Sequence, residues 1–181
     1  MEPRPVVPCM LVVAAFSRHA EALAWARERL ASLYGPVGIS NPSYDFHHTT
    51  YYAASMGTGL RKQFLGFARL VSPDMLAPIK LQTNALEDEL AYSGRFTEPR
   101  PLNLDPGLLT LGKFMLASTK DQAHRIYLRD GVFAEVTLFF RGGEFEPWPW
   151  TYADYRAPGV RASLAEFREY YRRQLANERV S

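Results

Sequence analysis

A chain of 181 residues, 47% apolar and 22% charged, has the size and composition of one folded domain spanning 1–181, which argues against disorder and against several domains. A formal net charge of +2 gives no overall field to draw in nucleic acid or an anionic membrane, so any such binding must come from a local patch. The single cysteine, Cys9, excludes an internal disulfide and a cysteine-only metal site and fits a reducing, cytoplasmic setting; the apolar stretch Val6 to Phe16 is too short to span a membrane, so no membrane contact is expected.

Met10 to Ala15 is a short continuous apolar run after Pro8, the pattern of a buried central strand. Ser17 is placed to cap a helix with Ala20, Leu23, Ala24, Ala26, Leu30 and Leu33 inward, stopped by Gly35-Pro36. Val37 to Phe46 reads as a second extended segment. His47 and His48 follow it, and one of them could begin a metal site with Asp45, since neighbouring residues on a strand face opposite ways. Met56 to Leu70 stands between strand and helix and leans to an extended strand after Gly57 and Gly59, and Ser72-Pro73-Asp74 opens a helix. On that helix Ile79, Leu86 and Leu90 mark the buried side. Lys80, Thr83, Asn84 and Glu87 form a polar stripe that is either a solvated face or the rim of a cleft.

Leu102 and Leu104 alternate with Asn103 and Asp105, which predicts a strand ending at an Asp105-Pro106-Gly107 turn. Gly107 to Lys113 has the spacing of a phosphate-binding loop, but Phe114 stands where a magnesium-holding Ser or Thr is needed, and the residues between are bulky and apolar. Ser118, Thr119, Lys120, His124 and Arg125 bring hydroxyls, an ammonium, an imidazole and a guanidinium together, the mixture that phosphates and carboxylates require. Ile126 to Leu138, broken at Arg129-Asp130-Gly131, predicts a hairpin with Arg125, Tyr127, Phe133, Glu135 and Thr137 on the face opposite its apolar residues. Arg125 and Glu135 are then either a structural ion pair or ligand contacts. Trp148 and Trp150 are expected to pack, with Tyr152, Asp154 and Arg156 on a ligand rim, and the chain closes in a helix with Leu164, Phe167, Tyr171 and Leu175 inward.

Several stretches together resemble one prokaryotic family, DUF4416: Tyr51-Tyr52 with Met56-Gly57, Lys80 with Thr83-Asn84 and Glu87, Asn103 to Gly107, Leu116 to Lys120, His124 to Leu128, Ala134 to Leu138 and Trp150 to Arg156. The chain departs from that pattern at Leu108 and Gly112. The resemblance implies a small bacterial or archaeal protein and brings no established activity. A GTP-binding role attached to some members finds no support at Phe114.

The order of elements predicts an α+β fold: a mainly antiparallel sheet with helices packed on one face, with an elaborated ferredoxin-like core as the candidate arrangement. The functional expectation is a polar cleft for a small anionic or phosphorylated ligand such as a nucleotide. Lys120, His124 and Arg125 would hold the anion, and Asp105, His124 or Glu135 would act as acid or base if there is chemistry. A divalent metal such as magnesium would suit those oxygens. Two alternatives stand beside this reading: a nucleic-acid-binding module using exposed arginines and aromatics, and a non-catalytic partner-binding scaffold.

Overall fold

In the computed structural model, which describes residues 2, 5–46 and 52–178, the chain runs through β1 (Cys9–Ser17), α1 (Ala20–Tyr34), β2 (Val37–Ser40), β3 (Tyr44–Asp45), α2 (Ala53–Met56), β4 (Arg61–Val71) and α3 (Leu76–Tyr92). It continues through β5 (Asn103–Leu109), β6 (Lys113–Ser118), β7 (Ile126–Arg129), β8 (Val132–Arg141), β9 (Glu144–Pro147), α4 (Ala153–Arg156) and α5 (Pro158–Glu178). The strands form one sheet in the order β2-β4-β1-β5-β6-β8-β7, with β3 added beside β4 and β9 beside β8, and every pair is antiparallel. Its first half, β1-α1-β2-β4-α3-β5 with spatial order β2-β4-β1-β5, has the split βαββαβ topology of a ferredoxin-like core.

All nine residues of β1 are buried, because both faces of this strand are covered. Cys9, Leu11, Val13 and Ala15 face α1 and α3, while Met10, Val12 and Ala14 face Leu164, Phe167 and Tyr171 of α5. Helices therefore cover both faces rather than the one expected. The long α5 closes the side that a bare ferredoxin-like unit leaves open. Burial also holds the Cys9 thiol pKa above its usual value, with Lys113 pulling weakly the other way.

Local expectations hold at the punctuation marks. Gly35 at φ 88° ends α1, and Asp130 and Gly131 at φ 53° and 74° form the tight hairpin turn between β7 and β8. Ser17 lies at the end of β1 rather than at the helix cap, which is His19; its buried hydroxyl donates to the Pro101 carbonyl and accepts from the His19 N–H. Asp105, Pro106 and Gly107 lie inside β5, not in a turn, opposite Ala14, Val13 and Val12 of β1. No described helix is long and apolar enough to cross a membrane.

Candidate functional site

The site is built where the sheet comes apart. The β5–β6 ladder has only three residue pairs, Leu109 with Phe114, Leu108 with Met115 and Gly107 with Leu116. The next residue back along β5 is Pro106, which has no N–H to contribute. Gly107 itself allows the close approach, since a Cβ there would lie 2.5 Å from the Met115 carbonyl. Beyond this point β6 stays with β8 and β5 stays with β1, and a cavity of about 690 Å³ opens between them. That volume lies within the range of small-molecule sites.

Splitting a sheet exposes backbone groups that must find other partners. At Leu104 they come from α3: the N–H donates to Glu87 Oε1 at 2.7 Å and the C=O accepts from Lys80 Nζ at 2.9 Å. Glu87 Oε2 in turn accepts from Arg100 at 2.7 Å, Arg100 donates to Asn103 Oδ1, and Asn103 Nδ2 donates to Asp105 Oδ2 at 2.9 Å. Lys80 Nζ also lies 3.7 Å from Asp105 Oδ1. Burial pushes the Glu87 carboxyl pKa up, opposed by Arg100, by Lys80 and by the Leu104 N–H. The stripe on α3 is thus the wall of the cleft and not a solvated face.

The opposite wall is made by β8 and the loop after β6. A bulge in β8 pairs Val136 with Met115 and Leu138 with Phe114, skipping Thr137. This brings Leu138 to the same side as Glu135, where strict alternation had separated them. Glu135 Oε2 accepts from Arg125 Nε at 2.9 Å and lies 3.1 Å from His124 Nε2, and the Thr137 hydroxyl donates to Oε1. Arg125 also donates to the Ser118 hydroxyl, the Lys120 carbonyl and the Tyr152 hydroxyl, so its guanidinium ties the 118–120 loop to the segment before α4. His124 stacks on Trp150, which stacks on Trp148.

The floor holds a third charged group. Lys62 Nζ donates to Asp154 Oδ2 at 2.5 Å, both side chains are buried, and the rings of Phe16, Phe46, Phe64 and Tyr155 surround the ammonium at 4.4–5.5 Å. The Tyr155 hydroxyl is buried without a hydrogen-bond partner among the described residues. Burial, then the negative charge of Asp154 and Asp105, keeps this phenol protonated well beyond its usual range.

Most of the residues singled out in the sequence converge here. Lys80, Asn84, Glu87, Asn103, Asp105, Ser118, Thr119, Lys120, Arg125, Glu135, Tyr152 and Asp154 all line the cavity, with His124 one contact behind, on Glu135. Two do not. Tyr127 is 58% exposed on the edge strand β7 and packs on Phe133, because the hairpin carries it past the cleft. Arg156 turns its guanidinium to the carbonyls of Trp148, Pro149 and Thr151 and fixes that segment instead.

Lys62 went unnoticed. Its signal was a lysine in step with Leu60 and Phe64, on the side of the strand that alternation marks as buried. Arg100 was hidden in what reads as a linker.

For magnesium, no group of three or more His, Cys, Asp or Glu is placed to hold a metal among the described residues; His47 and His48 lie outside them, and Asp45 is exposed and paired with Arg61. Three of the four arginines of α5 are engaged locally: Arg161 with the Phe145 carbonyl, Arg168 over Phe140 and Arg172 with Glu169; Arg173 is exposed. Within the 148–155 segment Trp148 stacks on Trp150 and packs on Phe139, and Tyr155 packs on Phe64, while Trp150 and Tyr152 remain partly exposed.

Comparison with curated proteins and with solved structures returns no match. The family model described as "Domain of unknown function (DUF4416)" matches residues 7–171, and with nearly its whole length covered the chain belongs to that family.

Proposed function

We propose that the chain binds a small anionic or phosphorylated ligand, in the size range from a sugar phosphate to a nucleotide, in the cleft between β5 and β6. The observation behind this reading is the concentration of buried charge around one cavity. Lys62, Lys80, Glu87, Arg125, Glu135 and Asp154 are all buried, and all line it. Buried ion pairs add little net stability, whereas clefts with converging ionisable groups are where ligands are held.

Four of the five acids lining the cleft are matched internally: Asp154 by Lys62, Glu135 by Arg125, Glu87 by Arg100 and Asp105 by Lys80; the fifth, Asp88, is exposed. The exposed Lys120, beside the hydroxyls of Ser118 and Thr119, is the cation placed at the mouth to meet an anion. Asp105, 30% exposed at its side chain, is the acid best placed to meet a ligand hydroxyl or proton.

A thermal-shift screen of nucleotides, sugar phosphates, short RNA and divalent metals at two salt concentrations tests this. A ligand at a hundred times its dissociation constant adds about 2.7 kcal/mol of stability. A shift with one small anion that survives moderate salt and is lost in Lys120→Ala supports the reading. Stabilisation by RNA alone, vanishing with salt, transfers the site to nucleic acid.

A further inference from the structure

The anion-binding reading leaves the floor of the cleft unused, and the floor has the parts of a carbonyl-condensing site. Lys62 differs from Lys80, the other buried lysine there: its hydrogen bond goes to a carboxylate, while Lys80 donates to a backbone carbonyl. Of the three N–H bonds of its ammonium, one is directed at Asp154, and four aromatic rings enclose the rest. Tyr155 lines the same cavity with its ring 4.4 Å from Lys62 Nζ, and its hydroxyl is buried with no hydrogen-bond partner among the described residues. A buried unpartnered hydroxyl is costly unless a bound molecule meets it.

We propose that Lys62 forms a Schiff base with an aldehyde or ketone that carries a carboxylate or phosphate, with Asp154 accepting the lysine proton and the Tyr155 hydroxyl protonating the carbonyl oxygen. Asp154 takes one proton from the ammonium, and the free amine adds to the carbonyl carbon. The C–N bond forms as the π pair moves to oxygen, which takes the Tyr155 proton; the nitrogen returns one proton to the phenolate. Asp154 then protonates the departing hydroxyl, water leaves, and the nitrogen lone pair closes the iminium. The sum is one ammonium and one carbonyl giving one iminium and one water, with no oxidant or reductant. The anionic end of the ligand points to the mouth at Ser118–Lys120, and in this respect the inference rests on the reading above. Desolvated lysines beside a proton acceptor are the established carriers of such chemistry.

The chain has four lysines, Lys62, Lys80, Lys113 and Lys120, so the test is a mapping experiment. The full chain is incubated with glycolaldehyde phosphate or glyoxylate, reduced with borohydride, and the adduct located by peptide mass spectrometry. The expected result is reduced adduct on Lys62 at least tenfold above Lys113, suppressed by the non-carbonyl analogues 2-phosphoglycolate or oxalate. Trapping slows at least tenfold in Tyr155→Phe and in Asp154→Asn, each checked for folding by its melting curve. In Lys62→Arg, total labelling falls to that of the exposed lysines. Adducts spread evenly over the lysines, or total labelling unchanged in Lys62→Arg, would overturn the inference. If the analogues stabilise the protein but Lys62 is never trapped, the Schiff base falls and the anion site stands. If the analogues do not bind and no Lys62 adduct forms, both fall.

Discussion

Two interruptions of the sheet border the site, the bulge in β8 and the split between β5 and β6, and they are repaired with different chemistry. At the bulge in β8, the carbonyls of Val136 and Thr137 are met by the Trp150 indole N–H at 3.2 Å and the Thr151 hydroxyl at 2.6 Å. At the split between β5 and β6, the N–H and C=O of Leu104 are met by a buried glutamate and a buried lysine. Neutral donors were sufficient for the first, and an amide side chain would have served the second. The charges at the split exceed what backbone satisfaction requires, and they extend to Arg125, Glu135, Lys62 and Asp154 around the same space. Repair of a strand explains the first region; it does not account for all the charge of the second, which the proposed ligand would.

The contrast predicts graded effects. Glu87→Ala strips the Leu104 N–H and leaves Arg100 without its counter-charge, and should destabilise by about 3–5 kcal/mol in urea unfolding. Thr151→Ala removes one neutral acceptor and donor from the bulge and should cost about 2 kcal/mol by the same measurement. Equal losses for the two would erase the distinction between the regions. Lys120→Ala, at the exposed rim, should leave stability within about 0.5 kcal/mol while weakening the best anion of the screen about tenfold in calorimetric titration, roughly 1.4 kcal/mol.

Two carboxylates should respond to pH with opposite sign. Glu87, raised by burial, contributes stability fully present below the ordinary glutamate pKa of about 4.3 and lost as pH rises through its folded value. Glu87→Gln should therefore gain on the wild type as pH climbs above that point, with Leu104 still bonded. Glu98 is held low, first by its hydrogen bond to His19, which joins the start of α1 to the segment before β5. Its smaller contribution is present above about pH 4.3 and is lost as pH falls through the lowered value. Stability curves of Glu98→Gln and wild type should converge in acid.

Much of this architecture was legible in the sequence. The continuous apolar run of β1, the Gly35 stop of α1, the Asp130-Gly131 turn and the inward face of α5 each follow from local chemistry, and their order alone predicts the ferredoxin-like half. The polar stripe of α3 and the 118–135 cluster were visible as residue types. Whether they met was a tertiary fact. Three features escaped for physical reasons. Asp105-Pro106-Gly107 has turn composition, but pairing with β1 holds it extended, and the proline shapes the cleft by ending the β5–β6 ladder. The bulge at Thr137 shifts the face of everything after it without any Gly or Pro to mark it. Lys62 was passed over because a charged residue in a strand is ordinarily read as solvated, and its aromatic neighbours come from β1, the segment after β3, β4 itself and α4.

If the charges at the cleft serve a ligand and not the fold, as proposed, the Lys62–Asp154 pair will show it without that ligand being known. Equilibrium urea unfolding of the double variant Lys62→Met/Asp154→Leu should show stability unchanged or raised by about 1–4 kcal/mol, as when a buried ion pair is replaced by apolar groups of similar size. A loss of several kcal/mol would show that the pair holds the structure together and would contradict the account.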